Sequence, residues 1–221
     1  MRIGVLGTGN MARALAGHWV RAGHEVLVGG RDERKAHGLA TRLGGDTRYG
    51  KLSEAAGFGE VVLAALPFGV GAEVVAGVRE QLDGRVLIDC SNPVGPGFRL
   101  LTDGDSSAAS RLAGAAPGAR VVKAFNLCHE GVWGMTPPVF DGRPLAVPLC
   151  GDEASALALV ELLVRDAGCV PVAGGGLDRA ALLEATAALF IGLWVGEGAD
   201  AQAIAPPLAF ATGPGGEGAD A

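Results

Sequence analysis

The stretch Arg2–Arg31, RIGVLGTGNMARALAGHWVRAGHEVLVGGR, constrains this chain more than any other. Ile3, Val5 and Leu6 form a short apolar run that stops at Gly7-Thr8-Gly9-Asn10-Met11-Ala12, a G-x-G-x-x-A. Met11, Leu15, Trp19 and Ala22 then recur at three- and four-residue spacing, the period of a helix with one buried face. Gly23 closes that helix, and Val26-Leu27-Val28 reads as a second strand. A glycine pattern alone is common. Set between a strand and a helix, with another strand beyond, it marks a turn that binds a dinucleotide. Gly7 permits the tight turn, Gly9 lets the backbone approach a pyrophosphate, and Ala12 lets helix and strand pack closely. The helix N-terminus then offers free N–H groups and a positive dipole end to the phosphates.

The end of the second strand separates the two nicotinamide cofactors. An acid there holds the ribose hydroxyls of NAD, whereas an arginine accommodates the extra phosphate of NADP. Here the strand runs into Gly29-Gly30-Arg31, with Lys35 one helical turn on and the Thr8 hydroxyl on the facing loop. Asp32 is read as the N-cap of the next helix, which turns its carboxylate away from a phosphate. NADP(H) is therefore expected, held by Gly7 to Ala12, Gly30, Arg31 and Lys35.

Asp32–Leu43 reads as a helix and Thr47–Tyr49 as an edge strand. Glu60–Leu66 is almost continuously apolar, as in a parallel strand covered on both faces. Its end, Ala65-Leu66-Pro67, is expected beside the glycine turn, where ligands bind in open α/β sheets. A helix over Gly71–Leu82 and a strand over Arg85–Cys90 lead to the loop Ser91-Asn92-Pro93, since a residue before proline avoids helix. Asn92 and Pro93 join Ala65, Leu66 and Pro67 as expected cofactor contacts. Asp103-Gly104-Asp105 is read as a turn before a helix over Ala108–Ala115 rather than as a metal site. Arg120–Phe125 is a further strand, opening into Asn126. Leu145–Cys150, Glu153–Ala167 and Cys169–Val172 make one more strand–helix–strand unit, and Leu177–Val195 is a long apolar helix.

The fold class is therefore α/β: a doubly wound, mostly parallel Rossmann sheet of about eight strands, helices on both faces, and a long C-terminal helix. Residues 1–205 are expected to form a single domain, with a dinucleotide core over 1–126 and an extension over 127–205. Residues 206–221 read as a flexible tail. The 221-residue chain is 49% apolar, ample for a core, yet has no run of eighteen uninterrupted apolar residues, so no membrane partner is expected. Met1-Arg2 leads straight into a strand, which predicts no secretion signal and a cytoplasmic protein. The net charge of −6 argues against nucleic acid as a partner. Cys90, Cys128, Cys150 and Cys169 show no C-x-x-C spacing and read as buried reduced thiols. No metal site is expected, because Cys128 and His129 are adjacent rather than at zinc-ligand spacing.

The segments IGVLGTGNMA, VLVGGRDERKA, VVLAALPF, VLIDCSNP, VVKAFN, CGDEASA and LDRAALLEATAALFIGLW together carry a family resemblance. The chain resembles the NADP oxidoreductases that use a deazaflavin coenzyme, coenzyme F420, and the dinucleotide-binding reductases grouped with them. The motifs stand in the family's order to about Trp194. The resemblance implies NADP(H) along the glycine turn, hydride exchange with the 8-hydroxy-5-deazaflavin, and a homodimer. There are two departures. Gly30 stands where many members have Ser, and the loop Leu127–Gly134, which should help line the second ligand's pocket, is not of the usual pattern.

Hydride transfer between nicotinamide and a deazaflavin needs chiefly face-to-face placement of two rings, so the protein contributes position and exclusion of water. A small carbonyl or imine substrate would instead require a proton donor. Two candidate catalytic residues follow. Asn126 ends a strand at the ligand edge with both donor and acceptor groups, and His129 is the histidine that falls near the strand ends. The plain readings are a turn residue bonding its own backbone and a histidine facing solvent. His18, His24 and His37 do not look catalytic, and Lys123 reads as an exposed strand residue. Three functions stay open: hydride exchange with the deazaflavin, NADPH-dependent reduction of a small carbonyl or imine compound, and NADP binding as a sensor. The second is kept because the N-terminal half also resembles pyrroline-carboxylate reductases. The all-round hydrophobicity of Leu177–Trp194 predicts burial, against the sheet or a partner subunit.

Overall fold

The computed structural model describes residues 1–102 and 106–204. The Asp103-Gly104-Asp105 turn and the tail over 206–221 lie outside the described residues. The elements are β1 (Arg2–Leu6), α1 (Asn10–Arg21), β2 (Glu25–Gly29), α2 (Glu33–Leu43), β3 (Arg48–Gly50), α3 (Leu52–Phe58), β4 (Val61–Ala64) and α4 (Phe68–Ala76). Then come α5 (Arg79–Leu82), β5 (Val86–Asp89), α6 (Ala108–Ala115), β6 (Arg120–Lys123), α7 (Glu130–Trp133) and the hairpin β7 (Val139–Phe140) with β8 (Arg143–Pro144). The chain continues through β9 (Ala146–Gly151), α8 (Ala154–Asp166), β10 (Val170–Gly175) and α9 (Ala180–Ile191), which runs on in π-helical form over Gly192–Glu197.

Eight strands form one sheet in the order β10-β9-β6-β5-β4-β1-β2-β3. All pairs are parallel except β6 with β9. The chain moves outward from β1 through β2 and β3, then returns to place β4 on the other side of β1. Strand order thus reverses between β1 and β4, and a crevice opens above their C-terminal ends. Register aligns those ends: Leu6 pairs with Gly29 and Ala64, Ala64 with Asp89, and Asp89 with Lys123.

The apolar strands bury both faces because helices cover both. One core holds Ile3, Val5, Leu63 and Ile88 against Leu15, Trp19 and Val160. The other holds Leu6, Val62 and Leu87 against Ala55, Val75 and Leu112. On that second face the short helix α3 has no strong periodic signature in the sequence. Glu54 accepts a hydrogen bond from the Lys51 N–H at its start, and Ala55 and Ala56 lie against the sheet. A Cβ on Gly4 would run into the Ala55 carbonyl oxygen, and one on Gly29 would lie 2.7 Å from Ala55 Cβ. The abundance of Gly and Ala therefore does here what close helix–sheet packing requires.

Two expectations need correction. The helix expected over Gly71–Leu82 is two, α4 and α5, separated by Gly77 and Val78. Lys123 is not exposed; it is completely buried. The C-terminal helix, expected to be buried against the sheet or a partner subunit, meets its own chain on one side only. Its inward residues are Ala180, Glu184, Ala187 and Ala188, while Leu182, Leu189 and Trp194 face outward. Leu177–Glu197 is also long and apolar enough to cross a membrane by length and composition, although it holds no uninterrupted run of eighteen apolar residues.

Candidate functional site

The glycine turn sits at the point where strand order reverses. Gly7 has φ +123°, a conformation that glycine adopts freely, and a Cβ there would strike the Ala65 carbonyl oxygen. Its N–H donates to Gly29 O at 2.9 Å, and the Ala65 N–H donates to Leu6 O at 3.0 Å. The turn is thereby held between the ends of β2 and β4. Gly9 caps α1 in extended conformation, and a Cβ on it would meet open space. This glycine leaves room above the turn rather than relieving a contact within the chain.

No side chain caps α1, in contrast to α2, capped by Asp32, and α6, capped by Ser107. The first turn of this twelve-residue helix thus has no side-chain cap and open space beside Gly9, an arrangement suited to a pyrophosphate. Ala12 is buried against the sheet and Met11 half-buried. The Asn10 amide donates to Glu130 Oε1 at 3.1 Å.

At the second strand, Asp32 Oδ1 accepts from the N–H groups of Arg34 and Lys35 at 3.0 and 3.4 Å. Its carboxylate is directed into α2, as the sequence predicted. Arg31 and Lys35 are exposed beside it. Gly30 lies against Thr8, so loop and strand end approach closely here. Arg31, Lys35 and the Thr8 hydroxyl are the groups available to hold a phosphate at this end.

At the other end of the crevice, Asn92 and Asn126 bind each other. Asn92 Nδ2 donates to Asn126 O at 2.6 Å, and Asn126 Nδ2 donates to Asn92 Oδ1 and to Leu183 O, both at 3.0 Å. Asn126 is buried, and its Oδ1 has no hydrogen-bond partner. The residue before it, Phe125, has φ +60° and is fully buried, its ring edge-on to Trp19 at 6.2 Å and to Trp133 at 5.5 Å. A bulky residue in that conformation is strained, and aromatic packing holds it there. Pro93 is buried, while Ala65, Leu66 and Asn92 are half-buried and Pro67 is exposed. A cavity of about 150 Å³ lies between α4 and α6, lined by Leu66, Phe68, Asp89, Ser91 and Arg111 among others.

Beneath these loops is a group of charges that the sequence reading missed. Lys123 Nζ donates to Asp89 Oδ2 at 2.8 Å, Glu184 Oε1 at 2.7 Å and Ser91 O at 2.6 Å. Both carboxylates are as buried as the lysine. Burial alone would lower the Lys123 pKa. Asp89 and Glu184 outweigh it and hold the value above that of a free lysine, so the ammonium stays charged. A signal was present: Lys123 and Glu184 are lone opposite charges in the otherwise apolar runs VVKAF and ALLEATAALFI.

The loop after Asn126 is fastened to the outer side of α1. His18 Nε2 donates to Trp133 O at 2.7 Å, Arg21 donates to His18 Nδ1 at 3.1 Å, and the Trp133 indole donates to Cys128 O at 3.0 Å. His129 opens α7, where its Nδ1 accepts from the Gly131 N–H and its Nε2 lies 3.1 Å from Glu130 Oε2. Its side chain is 76% exposed. The structure therefore brings Asn126 to the strand-end loops and leaves His129 largely in solvent. All four cysteines are free. Burial pushes the Cys90 thiol up to about 12, with the Asp89 carboxylate adding to it, and the Cys128 and Cys169 thiols up to about 11. They stay protonated and are poor nucleophiles. Among the described residues no group of His, Cys, Asp and Glu could hold a metal ion.

Comparison with known proteins matches residues 2–93 to the family described as NADP oxidoreductase, coenzyme F420-dependent. The chain is 32% identical to the F420-dependent NADP reductase of Methanothermobacter marburgensis, over 87% of this chain and 92% of that one. It is also 32% identical to the metalloreductase STEAP3 of Rattus norvegicus, over 87% of this chain but 38% of that protein, so it spans well under half of the latter. Among solved structures, an Arthrobacter sp. FB24 protein provisionally named an F420 dependent NADP-reductase superposes with a TM-score of 0.79. That match has 25% identity and covers 89% of this chain and 94% of that one.

Proposed function

The chain belongs to the coenzyme F420-dependent NADP oxidoreductase family and is an NADP-dependent oxidoreductase, and from that premise we propose that it exchanges a hydride between NADP(H) and the deazaflavin coenzyme F420. The observation that carries this reading is the extent of the likeness. The match to an F420-dependent NADP reductase extends over 87% of this chain and 92% of that protein. The metalloreductase likeness, equal in identity, covers only 38% of that relative and carries no such weight.

The geometry supports a division of labour along the crevice. The open turn at Gly9 and the uncapped N-terminus of α1 receive the pyrophosphate. Thr8, Arg31 and Lys35 hold the adenosine phosphate. The strand-end residues Leu66, Pro67, Asn92 and Pro93 orient the nicotinamide end, and Asn126, buried behind them, holds Asn92 in place. Bound NADPH would supply the hydride, and the deazaflavin would accept it together with one proton from the medium. Placement of two flat rings and exclusion of water are what the chain must then contribute. The exposure of His129 favours this reading over reduction of a carbonyl or imine, which calls for a sheltered proton donor.

We propose further that two copies pair through the outer face of α9. An inner face of alanines with one glutamate and an outer face of Leu182, Leu189 and Trp194 invert the usual pattern of a surface helix. Placing this helix across a bilayer would pull the Glu184 carboxylate from Lys123 into hydrocarbon, which is unfavourable.

The test is an absorbance assay with purified protein, NADPH and oxidised F420. Coupled loss of both chromophores is expected. Absence of reaction, with NADPH binding intact by titration, overturns the assignment of the deazaflavin.

A further inference from the structure

The buried charges at Lys123 do more than neutralise one another. The three N–H donors of the ammonium each have an acceptor. Asp89 Oδ1 accepts from the Ser91 N–H at 2.9 Å. Glu184 accepts from Ala108 N at 2.9 Å and Ala109 N at 3.4 Å, the first N–H groups of α6. Burying three ions is an expensive way to fill a core, since apolar side chains of equal volume are often as stable or more so. What the ions supply is geometry.

That geometry closes into a ring. Both backbone polar groups of Ser91 are fixed, the N–H by Asp89 and the carbonyl by Lys123. The next residue, Asn92, is bound to Asn126. Asn126 is bound to Leu183 O on α9, and the neighbour of Leu183 is Glu184, which returns to Lys123. The ring thus ties the loop after β5, the end of β6 and the C-terminal helix to a single ammonium.

We propose that Lys123 is a positioning residue for hydride transfer. Through this ring it sets Asn92 and Asn126 at the nicotinamide end of the crevice and makes α9 part of the active-site frame. The inference rests on the reading of that crevice as the NADP(H) site. The glycine turn and the Arg31 end lie outside the ring, so Lys123 governs the reacting end of the cofactor and leaves its anchoring end alone.

The test uses the double variant K123M/E184Q. The triad carries one positive and two negative charges; removing one of each keeps its net charge at −1. The affinity for NADPH, titrated by its fluorescence, should stay within about threefold of the parent, because the anchoring end is untouched. The anisotropy of the bound nicotinamide should fall, and kcat with F420 should fall about a hundredfold, as expected of a misplacement near 1 Å. A kcat within about threefold of the parent overturns the proposal. So does a parallel loss of affinity and turnover, which is the mark of a merely structural role. Should the variant not fold, hydrogen exchange of the unaltered protein decides. NADPH should protect peptides over 86–93 and 180–191, whereas 2′,5′-ADP, which lacks the nicotinamide, should protect only the glycine turn and the segment over 30–35. Equal protection by both ligands overturns the proposal. If the parent fails to reduce F420 while the anisotropy and exchange results hold, the deazaflavin assignment falls and the role of Lys123 stands.

Discussion

The Thr8 methyl group lies 3.0 Å from where a Cβ on Gly30 would stand, across the mouth of the crevice. That contact accounts for Gly30 where a serine would add a hydroxyl to the phosphate site: the side chains at 8 and 30 compete for one space. Gly30→Ser alone should cost about 1 kcal/mol of stability through overpacking. Combined with Thr8→Ser, which removes the methyl and keeps the hydroxyl, it should raise the preference for NADPH over NADH about tenfold, the worth of one charge-assisted hydrogen bond. Titration of both cofactors against the two variants checks this. An unchanged preference in the double variant would remove the phosphate role from this corner.

Gly4 and Gly9 should respond in opposite ways to alanine. A Cβ on Gly4 collides with the backbone carbonyl of Ala55, whereas one on Gly9 meets nothing within 4 Å. Gly4→Ala should lose about 3 kcal/mol or more in urea denaturation, because neither strand nor helix backbone can yield cheaply. Gly9→Ala should keep its stability within about 0.5 kcal/mol. Its NADPH affinity should nevertheless fall about tenfold, or 1.4 kcal/mol, since the methyl fills the approach to the turn. Unaltered NADPH binding by Gly9→Ala would place the pyrophosphate elsewhere.

His18 makes the fold sensitive to acid. Burial lowers its pKa below 6.5; the Trp133 carbonyl partly offsets this, and the Arg21 guanidinium lowers it again. The neutral ring, donating from Nε2 and accepting at Nδ1, satisfies both neighbours. The native state thus binds fewer protons than the unfolded chain below pH 6.5. Stability is lost as pH falls from there toward the native value, by at most about 1.4 kcal/mol per pH unit for one proton. His18→Gln retains a donor for the Trp133 carbonyl without the titration. The dependence of stability on pH, from urea melts between pH 7.5 and 5.5, should therefore be flatter for the variant, by no more than that slope. Identical slopes would rule out His18 as the source.

His129→Ala should leave turnover of F420 within about threefold, whereas loss of a general acid costs about a hundredfold or more. Its exposed ring caps a four-residue helix, and the change should register as a small loss of stability. A hundredfold fall in kcat with NADPH affinity retained would restore the proton-donor role and with it the carbonyl or imine reading.

The glycine turn, the Asp32 cap and the apolar strands were legible because each follows from local chemistry: the freedom of glycine at Gly7, an acid before a helix, a run such as Val61–Ala64 with both faces covered. Their order along the chain is enough to imply a doubly wound sheet. Helix α3 escaped notice because its seven residues are held by contact with Gly4 and Gly29 rather than by a periodic pattern. Lys123 was misjudged for a related reason. Its partners Asp89 and Glu184 lie 34 and 61 residues away, and no local rule brings them together.

The sequence by itself determined that this chain folds around a dinucleotide turn, and that Asp32 at the end of the second strand caps the next helix. Such features depend on residues a few positions apart, whose geometry the backbone fixes. Only the tertiary structure decided that Lys123 is an interior ion, that Asn126 has a buried acceptor without a partner while His129 stands in solvent, and that α9 turns its alanines inward. Those outcomes depend on which distant segments the crossovers bring side by side, and burial there sets both the charge of a group and what it can touch.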